Sequence, residues 1–157
     1  VIGKSGRTKF TKAEAVKLVA KLTARGRSAR MKQIIDPKKK ADALIKKWLR
    51  GDLDFDRKLM INLAMAARDS KTVLHVNYGK RTYAEQAALW AKYGPPRAAR
   101  PGTSRHETGL AADVVTEKLR ISVGSVKKIR AALKNHGLCL PVPNEPWHVE
   151  CGSTWRA

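Results

Sequence analysis

Two of the four histidines in this sequence stand in segments that also carry carboxylates and turn-forming residues. His106 is followed by Asp113, with Gly109 between them, and His148 follows Glu145 near the end of the chain. A hydrolytic zinc ion takes three protein ligands from histidine and carboxylate side chains and leaves a fourth position for water. His106, Asp113 and His148 meet this requirement, and Gly109 allows the sharp turn that would bring the first two together. They predict a zinc site, although such a spacing also occurs by chance.

The last apolar segment predicts a short strand whose alternation separates a polar face from a core face. His148 and Glu150 would lie on the metal side, and Trp147 and Cys151 would lie in the core. Glu145 stands on the preceding proline-rich turn, where its carboxylate could reach a metal-bound water. We therefore predict that Glu145 is the general base.

Taken together, these segments resemble the signatures of a known family of zinc peptidases. Ser104-x-His106-x-x-Gly109-x-Ala111-x-Asp113 and Glu145-x-Trp147-His148 resemble the two motifs of the D-alanyl-D-alanine carboxypeptidase and L-alanyl-D-glutamate endopeptidase family. That family is related in fold to lysostaphin-type enzymes and to the hedgehog N-domain. The stretch from Lys80 to Gln86 is similar to the family's Gly-Tyr-Arg-Ser-x-x-x-Gln, but Lys80 replaces the usual aromatic residue. The resemblance covers roughly residues 55–152.

The resemblance implies roles for three further side chains. Arg81 is expected to bind the oxyanion or a substrate carboxylate, and Gln86 is expected to reach into the cleft and bind substrate. Ser104 either caps its loop or lines the cleft near the scissile bond. The resemblance also implies a Zn²⁺ cofactor and hydrolysis of peptidoglycan stem peptides.

The elements that must position these residues are short and of both kinds. Helical spacing of apolar residues and capping signals predict helices, and short apolar runs predict strands. The predicted helices cover residues 11–26, 36–51, 59–67, 83–93 and 123–133, and the predicted strands cover 73–76, 111–115, 138–140 and 147–151. Tyr83 and Trp90 would face the core, and His75 and His136 would be structural. The fold class is α+β, with a small antiparallel sheet flanked by helices, as in hedgehog and DD-peptidase domains.

Charge is distributed unevenly along the 157 residues. The formal net charge of +20, from 33 basic and 13 acidic residues, implies a polyanionic partner or surface. Residues 1–50 hold about half of the basic residues but only three acids, Glu14, Asp36 and Asp42. We predict a basic helical extension over 1–50, which could attach the protein to the wall, and a zinc peptidase domain over 51–157.

Strong basicity, the lack of an apolar leader and the extra N-terminal segment favour a monomeric phage endolysin with endopeptidase activity. Such a soluble protein would accumulate in the host cytoplasm, bind anionic wall polymers and then degrade the cell wall. The alternatives are a D-Ala-D-Ala carboxypeptidase of bacterial cell-wall metabolism and a nucleic-acid-binding protein with a structural zinc. Cys139 and Cys151 could face each other across a hairpin and form a disulfide.

Overall fold

The structure is a computed structural model, and it describes residues 36–151 together with Ala13, Val16, Lys17, Ala20 and Lys21. The predicted helix over 11–26 therefore lies largely outside the described residues. The chain divides into two units, residues 1–40 and 41–157. A separate functional extension over residues 1–50 stays a prediction. No helix among the described residues is both long and apolar enough to cross a membrane.

Regular structure in the range 36–151 alternates between helices and short strands. The helices are α1 (Pro37–Trp48), α2 (Arg57–Asp69), α3 (Tyr83–Tyr93) and α4 (Lys127–Asn135), with a 3-10 turn at Val123–Ser125. The strands are β1 (Leu49–Gly51), β2 (Leu74–Tyr78), β3 (Ala111–Thr116), β4 (Leu138–Cys139) and β5 (His148–Cys151). The α+β class is confirmed, and within this range a helix or strand occurs at each predicted place.

Local signals explain where the helices begin. Pro37 occupies the first turn of α1, where its fixed φ is favourable and its missing N–H costs nothing. The Asp56 side chain accepts from the Leu59 N–H at the start of α2. At α3, Thr82 and Glu85 form a capping box, each side chain accepting from the other residue's backbone N–H.

The five strands form one sheet in the order β1-β2-β3-β5-β4. The prediction of a purely antiparallel sheet is wrong at one edge, because β1 pairs with β2 in parallel while the other three pairs are antiparallel. Helix α2 lies between β1 and β2 along the chain and returns it to the starting side of the sheet. Such a crossover produces a parallel pair, whereas hairpins produce antiparallel ones.

The core lies between one face of this sheet and helices α2 and α4. Val76, Val114 and Val149 are fully buried on that face, and Leu63 and Ile129 are fully buried on the helices. Because side chains alternate along a strand, the residues between these valines point to the opposite face. That second face carries the polar site.

Helix α3 is less buried than its stripe of aromatic residues predicts. Tyr83 is 64% exposed, so its assignment to the core is wrong, and the one buried residue of the helix is Gln86. Periodicity identified the helix but not the face that packs, because a buried polar residue with two hydrogen bonds can take the place of an apolar one.

Candidate active site

Strand register brings Asp113 and His148 together. They are directly opposite each other in the antiparallel pair of β3 and β5. On its other side Asp113 pairs with Tyr78, next to an irregularity in β2 between Val76 and Tyr78. Asp113 is therefore held between two strands, with its side chain on the face away from the core.

The loop that carries His106 is fixed by backbone hydrogen bonds to its neighbours. The Arg81 N–H donates to the His106 carbonyl at 3.0 Å, and the Asp56 N–H donates to the Gly109 carbonyl at 2.9 Å. Gly109 has a φ of +73°, and a β-carbon there would lie 3.3 Å from the Asp56 nitrogen. The predicted sharp turn is confirmed, and it requires glycine for both reasons.

The three predicted metal ligands converge on one point. The Oδ1 atom of Asp113 lies 3.3 Å from Nε2 of His106 and 3.2 Å from Nδ1 of His148. The two histidine nitrogens are 3.2 Å apart. The set has one ligand atom from each residue, all within 4.8 Å of one another, with both histidines buried.

The other nitrogen of each histidine is engaged outside this set. Nδ1 of His106 donates to the Gly79 carbonyl at 2.7 Å, and Nε2 of His148 donates to Oε1 of Glu150 at 2.9 Å. A carbonyl can only accept, so the proton of a neutral His106 sits on Nδ1 and its Nε2 presents a lone pair. By the same argument with Glu150, Nδ1 of His148 is the metal-facing atom. Two lone pairs and a carboxylate then face one another, an arrangement that a cation stabilises, so the residues fit a zinc ion.

Electrostatics within the group favour an ionised aspartate. Burial by itself raises the pKa of Asp113, but hydrogen bonds from His106 and His148 outweigh it and lower the pKa to about 2. Burial lowers the pKa of His148, and its hydrogen bonds with Asp113 and Glu150 outweigh burial and raise the pKa. At neutral pH the carboxylate is therefore charged and ready to bind a cation. Protons compete with the metal for the His148 nitrogen as the pH falls.

Glu145 lies beside the metal-facing atoms but outside the ligand set. Its Oε2 is 3.9 Å from Nδ1 of His148, and its side chain is 32% exposed. The turn is held by the Glu145 N–H, which donates to the Val142 carbonyl, and by the His148 N–H, which donates to the Glu145 carbonyl. The carboxylate is thus placed next to the metal position and remains accessible to water.

Arg81 and Gln86 form a connected pair at the cleft. Nη1 of Arg81 donates to Oε1 of Gln86 at 2.8 Å, and Nε2 of Gln86 donates to the Ala99 carbonyl at 2.7 Å. Gln86 is only 1% exposed and uses both ends of its amide in these bonds. A direct contact between Gln86 and substrate stays a prediction. The hydrogen bonds give Gln86 a positioning role, because they orient Arg81 and tie it to the loop at Ala99.

We expect Gln86→Met to lower kcat/KM on the order of ten-fold, because a hydrogen bond to a charged group is lost and Arg81 is no longer oriented. Zinc content should not change. The same substitution in an Arg81→Met background should cost little more, since Gln86 acts through Arg81. Steady-state kinetics on the four proteins of this cycle measure the coupling. Fully additive losses would show that Gln86 acts by another route.

The group lies in an open cavity of about 410 Å³. Ser104, which is 8% exposed, lines the cavity, so the cleft-lining alternative is supported for it. Trp147 is 37% exposed and also lines the cavity, so its assignment to the core is wrong. It precedes the first residue of β5, where strict strand alternation does not yet apply. The remaining wall comes from the segment between Tyr93 and Arg105.

The sequence contained a signal for one supporting residue and none for the other. Glu150 alternates with His148 on β5, and its Oε2 also lies 3.4 Å from Nε of Arg105. The Gly79 carbonyl, by contrast, is a backbone group far from His106 along the chain. His75 and His136 pair with Glu117 and Asp69 at 2.8 Å and 2.7 Å, outside the ligand set.

The two cysteines do not form a disulfide, and both are free thiols. Strand β4 pairs with β5 so that Cys139 is opposite Glu150 and Leu138 is opposite Cys151. Cys139 therefore lies on the face of the active site, and Cys151 lies on the core face. Burial raises the pKa of the Cys151 thiol to about 11.

A mixed sheet that carries two histidines and an aspartate on the floor of an open cleft has the architecture of a metallopeptidase. The family model for D-alanyl-D-alanine carboxypeptidase, VanY, matches residues 56–151. The chain belongs to this family. The resemblance noted in the sequence and the prediction of a zinc-dependent peptidase are thereby confirmed at the level of the family.

Solved structures share the fold. The LdcB LD-carboxypeptidase has a TM-score of 0.52 and 21% identity, over 62% of this chain and 58% of that one. The vancomycin resistance D,D-dipeptidase VanXYg, solved with a D-Ala-D-Ala phosphinate analog, has a TM-score of 0.52 and 21% identity, over 62% of this chain and 50% of that one. A vancomycin resistance D,D-pentapeptidase, VanY, was solved with Zn(II), with a TM-score of 0.43 and 24% identity over 62% of this chain and 72% of that one.

This chain spans little more than half the length of the first two structures. At these identities the likeness concerns the fold alone. No curated protein sequence matches the chain significantly.

Proposed function

We propose that this chain is a peptidoglycan endopeptidase that hydrolyses an amide bond inside the stem peptide. Family membership supports a zinc peptidase, and the shape of the cleft supports cleavage within a peptide. The observation that carries the catalytic part is the position of Glu145, whose Oε2 lies 3.9 Å from the metal-facing nitrogen of His148 without belonging to the ligand set.

His106, Asp113 and His148 would hold the zinc ion through Nε2, Oδ1 and Nδ1. When bound, zinc supplies Lewis-acid activation of water and of the carbonyl group. The protein's own contribution is orientation, because Gly79 and Glu150 hold the two imidazole rings by their other nitrogens.

Glu145 then acts on protons. Its carboxylate takes one proton from the attacking water as the new carbon–oxygen bond forms, and returns it to the nitrogen as the carbon–nitrogen bond breaks. The products are a carboxylate and an amine, and Glu145 ends as it began. Its partial exposure suits this role, because the carboxylate must meet both water and the leaving group.

Arg81 is placed to bind negative charge that develops on the substrate. One Nη is held by Gln86, and the guanidinium lines the same cavity as Glu145. A fixed cation aimed at a developing oxyanion lowers the barrier because it needs no reorganisation during the reaction. Ser104, at the edge of the same cavity, would contact the peptide near the scissile bond.

The cleft continues beyond the metal position. A second cavity of about 510 Å³ shares Arg81, Leu89 and Asp113 with the first, so it extends the cleft past the ligand set. A carboxypeptidase needs room for one terminal residue on the leaving side, whereas an endopeptidase must hold peptide on both sides of the bond. The two joined cavities favour an endopeptidase over the D-Ala-D-Ala carboxypeptidase alternative.

The experiment that tests this function is mass spectrometry of purified peptidoglycan digested by the zinc-loaded chain. We expect fragments with a new amino terminus inside the stem peptide, and none from a metal-depleted sample. Release of terminal D-alanine alone would instead establish the carboxypeptidase alternative.

A phage endolysin role and wall attachment through residues 1–50 are further parts of the proposal. The formal charge of +20 supports them, because anionic wall polymers attract cations. Salt-sensitive binding to purified walls, with lysis of permeabilised cells, is the expected result. Tight binding to DNA with no wall hydrolysis would favour the nucleic-acid alternative.

A further inference from the structure

The second cavity, which we call the lysine cavity, has a chemical character of its own. Its polar lining includes two carboxylates, from Asp52 and Glu85, and two ammonium groups, from Lys80 and Lys92, with Tyr78 between. Tyr78 is 62% exposed. The cavity meets the catalytic one at Arg81, Leu89 and Asp113. Whatever occupies it is therefore close to the reacting bond.

Both carboxylates are already satisfied by local groups. Asp52 accepts from the Gly79 N–H at 2.9 Å and from the Asp54 N–H at 3.1 Å. Glu85 accepts from the N–H and the hydroxyl of Thr82 at 2.7 Å and 2.8 Å. The backbone hydrogen bond from Thr82 is the main cause of the lowered pKa of Glu85, so this group stays ionised and committed to its cap. Neither carboxylate forms an ion pair with a lysine of the cavity.

The ammonium groups, in contrast, have no carboxylate partner within the described part of the chain. Both lysine side chains are exposed, and neither takes part in a salt bridge there. Nζ of Lys92 lies 5.0 Å from the centre of the Tyr93 ring, which leaves its hydrogens available. The backbone of Lys80 is held by a hydrogen bond from its N–H to the Asp54 carbonyl at 2.6 Å. The cavity thus presents two cations on an anchored frame.

We propose that the lysine cavity binds a carboxylate of the substrate peptide through Lys80 and Lys92. This inference rests on the proposed peptidase function and adds a specificity for acidic stem-peptide residues next to the cleaved bond. It also gives a function to Lys80, which stands where the resembling motif has an aromatic residue. Two ammonium groups can each donate to one carboxylate oxygen, which is a charge-assisted and directional contact.

Position distinguishes this site from general attraction of anions. A chain with a net charge of +20 attracts wall polymers over much of its surface. The lysine cavity shares a wall with the catalytic group, so a ligand there must be part of the molecule being cut. The exposed ring of Tyr78 offers an apolar surface against which the peptide beside that carboxylate can pack.

The test uses soluble stem peptides in which each carboxylate is converted, one at a time, to an amide. For the wild-type chain, amidation of one particular carboxylate should lower kcat/KM about ten-fold, mainly through KM, because a charge-assisted hydrogen bond is lost. In the Lys80→Met, Lys92→Met double variant the same amidation should change kcat/KM less than two-fold. Lys118→Met, an exposed lysine outside both cavities, is the matched control and should discriminate like wild type.

Binding of the same peptides to a Glu145→Gln variant, measured by calorimetry, separates the two hypotheses. Discrimination between acid and amide in binding without hydrolysis by wild type would keep the lysine cavity and remove the peptidase assignment. Hydrolysis with equal discrimination by wild type and by the double variant would keep the peptidase and overturn the lysine cavity. Indifference of the wild type to every amidation would overturn it as well.

Discussion

Glu145→Gln is expected to lose about 100-fold to 10,000-fold in kcat while it keeps its zinc and its melting temperature. The amide has nearly the shape of the carboxylate but cannot take a proton from water. The backbone bonds that hold the turn, from the Glu145 N–H to the Val142 carbonyl and from the His148 N–H to the Glu145 carbonyl, do not involve the side chain. Kinetics on a soluble stem peptide and metal analysis measure the two quantities.

Two further variants make this result specific. Glu117→Gln removes a carboxylate that contacts His75 and not the cleft, so its kcat should stay near that of wild type. Glu145→Asp keeps the charge but shortens the side chain, and we expect partial activity. Wild-type turnover in Glu145→Gln would sink the assignment of the general base. Loss of zinc in the same variant would instead make Glu145 a ligand.

Asp113→Ala is expected to lose zinc, and with it nearly all activity. Its Oδ1 lies within 3.3 Å of both metal-facing nitrogens, and its carboxylate is the one negative charge in the ligand set. Removing it leaves two neutral imidazoles, whose affinity for a divalent cation is much lower. Competition with a fluorescent chelator should show zinc bound at least about 100-fold more weakly, which exceeds the upper end of the loss that supporting residues cause.

Glu150→Gln provides the graded comparison for that experiment. Glu150 contacts Nε2 of His148 and not the metal position, so its loss should weaken zinc about 10-fold to 100-fold. The order of affinities, wild type above Glu150→Gln and Glu150→Gln above Asp113→Ala, follows from the two distances of the residues to the site. Equal zinc affinity in Asp113→Ala and wild type would remove Asp113 from the ligand set. Melting curves in excess chelator separate loss of metal from loss of fold.

Much of the site was legible in the sequence because its signals are local. Gly109 predicts the sharp turn by its backbone freedom, and the structure confirms a φ of +73°. Alternation along β5 predicts that His148 and Glu150 share a face, and both line the catalytic cavity. The helix beginning at Pro37 and the strand containing Asp113 lie where capping and apolar spacing predict them.

The errors share one physical cause, which is that burial depends on partners remote in the chain. Tyr83 has an apolar ring on a regular helical stripe, yet Gln86 takes the buried position because Arg81 and the Ala99 carbonyl satisfy its amide. Trp147 adjoins a strand, yet it lines the cleft because β5 begins one residue later. Neither outcome follows from residue type or spacing.

By itself the sequence determined which residues could bind a metal and on which local elements they stand, because turns, caps and alternation involve near neighbours. Only the tertiary structure decided which nitrogen of each histidine faces the metal. For His106 that choice is made by the Gly79 carbonyl, and for His148 by Glu150. It also decided the parallel pairing of β1 with β2 and the joining of two cavities at Arg81. These features depend on hydrogen bonds and packing between segments that meet only when the chain has folded.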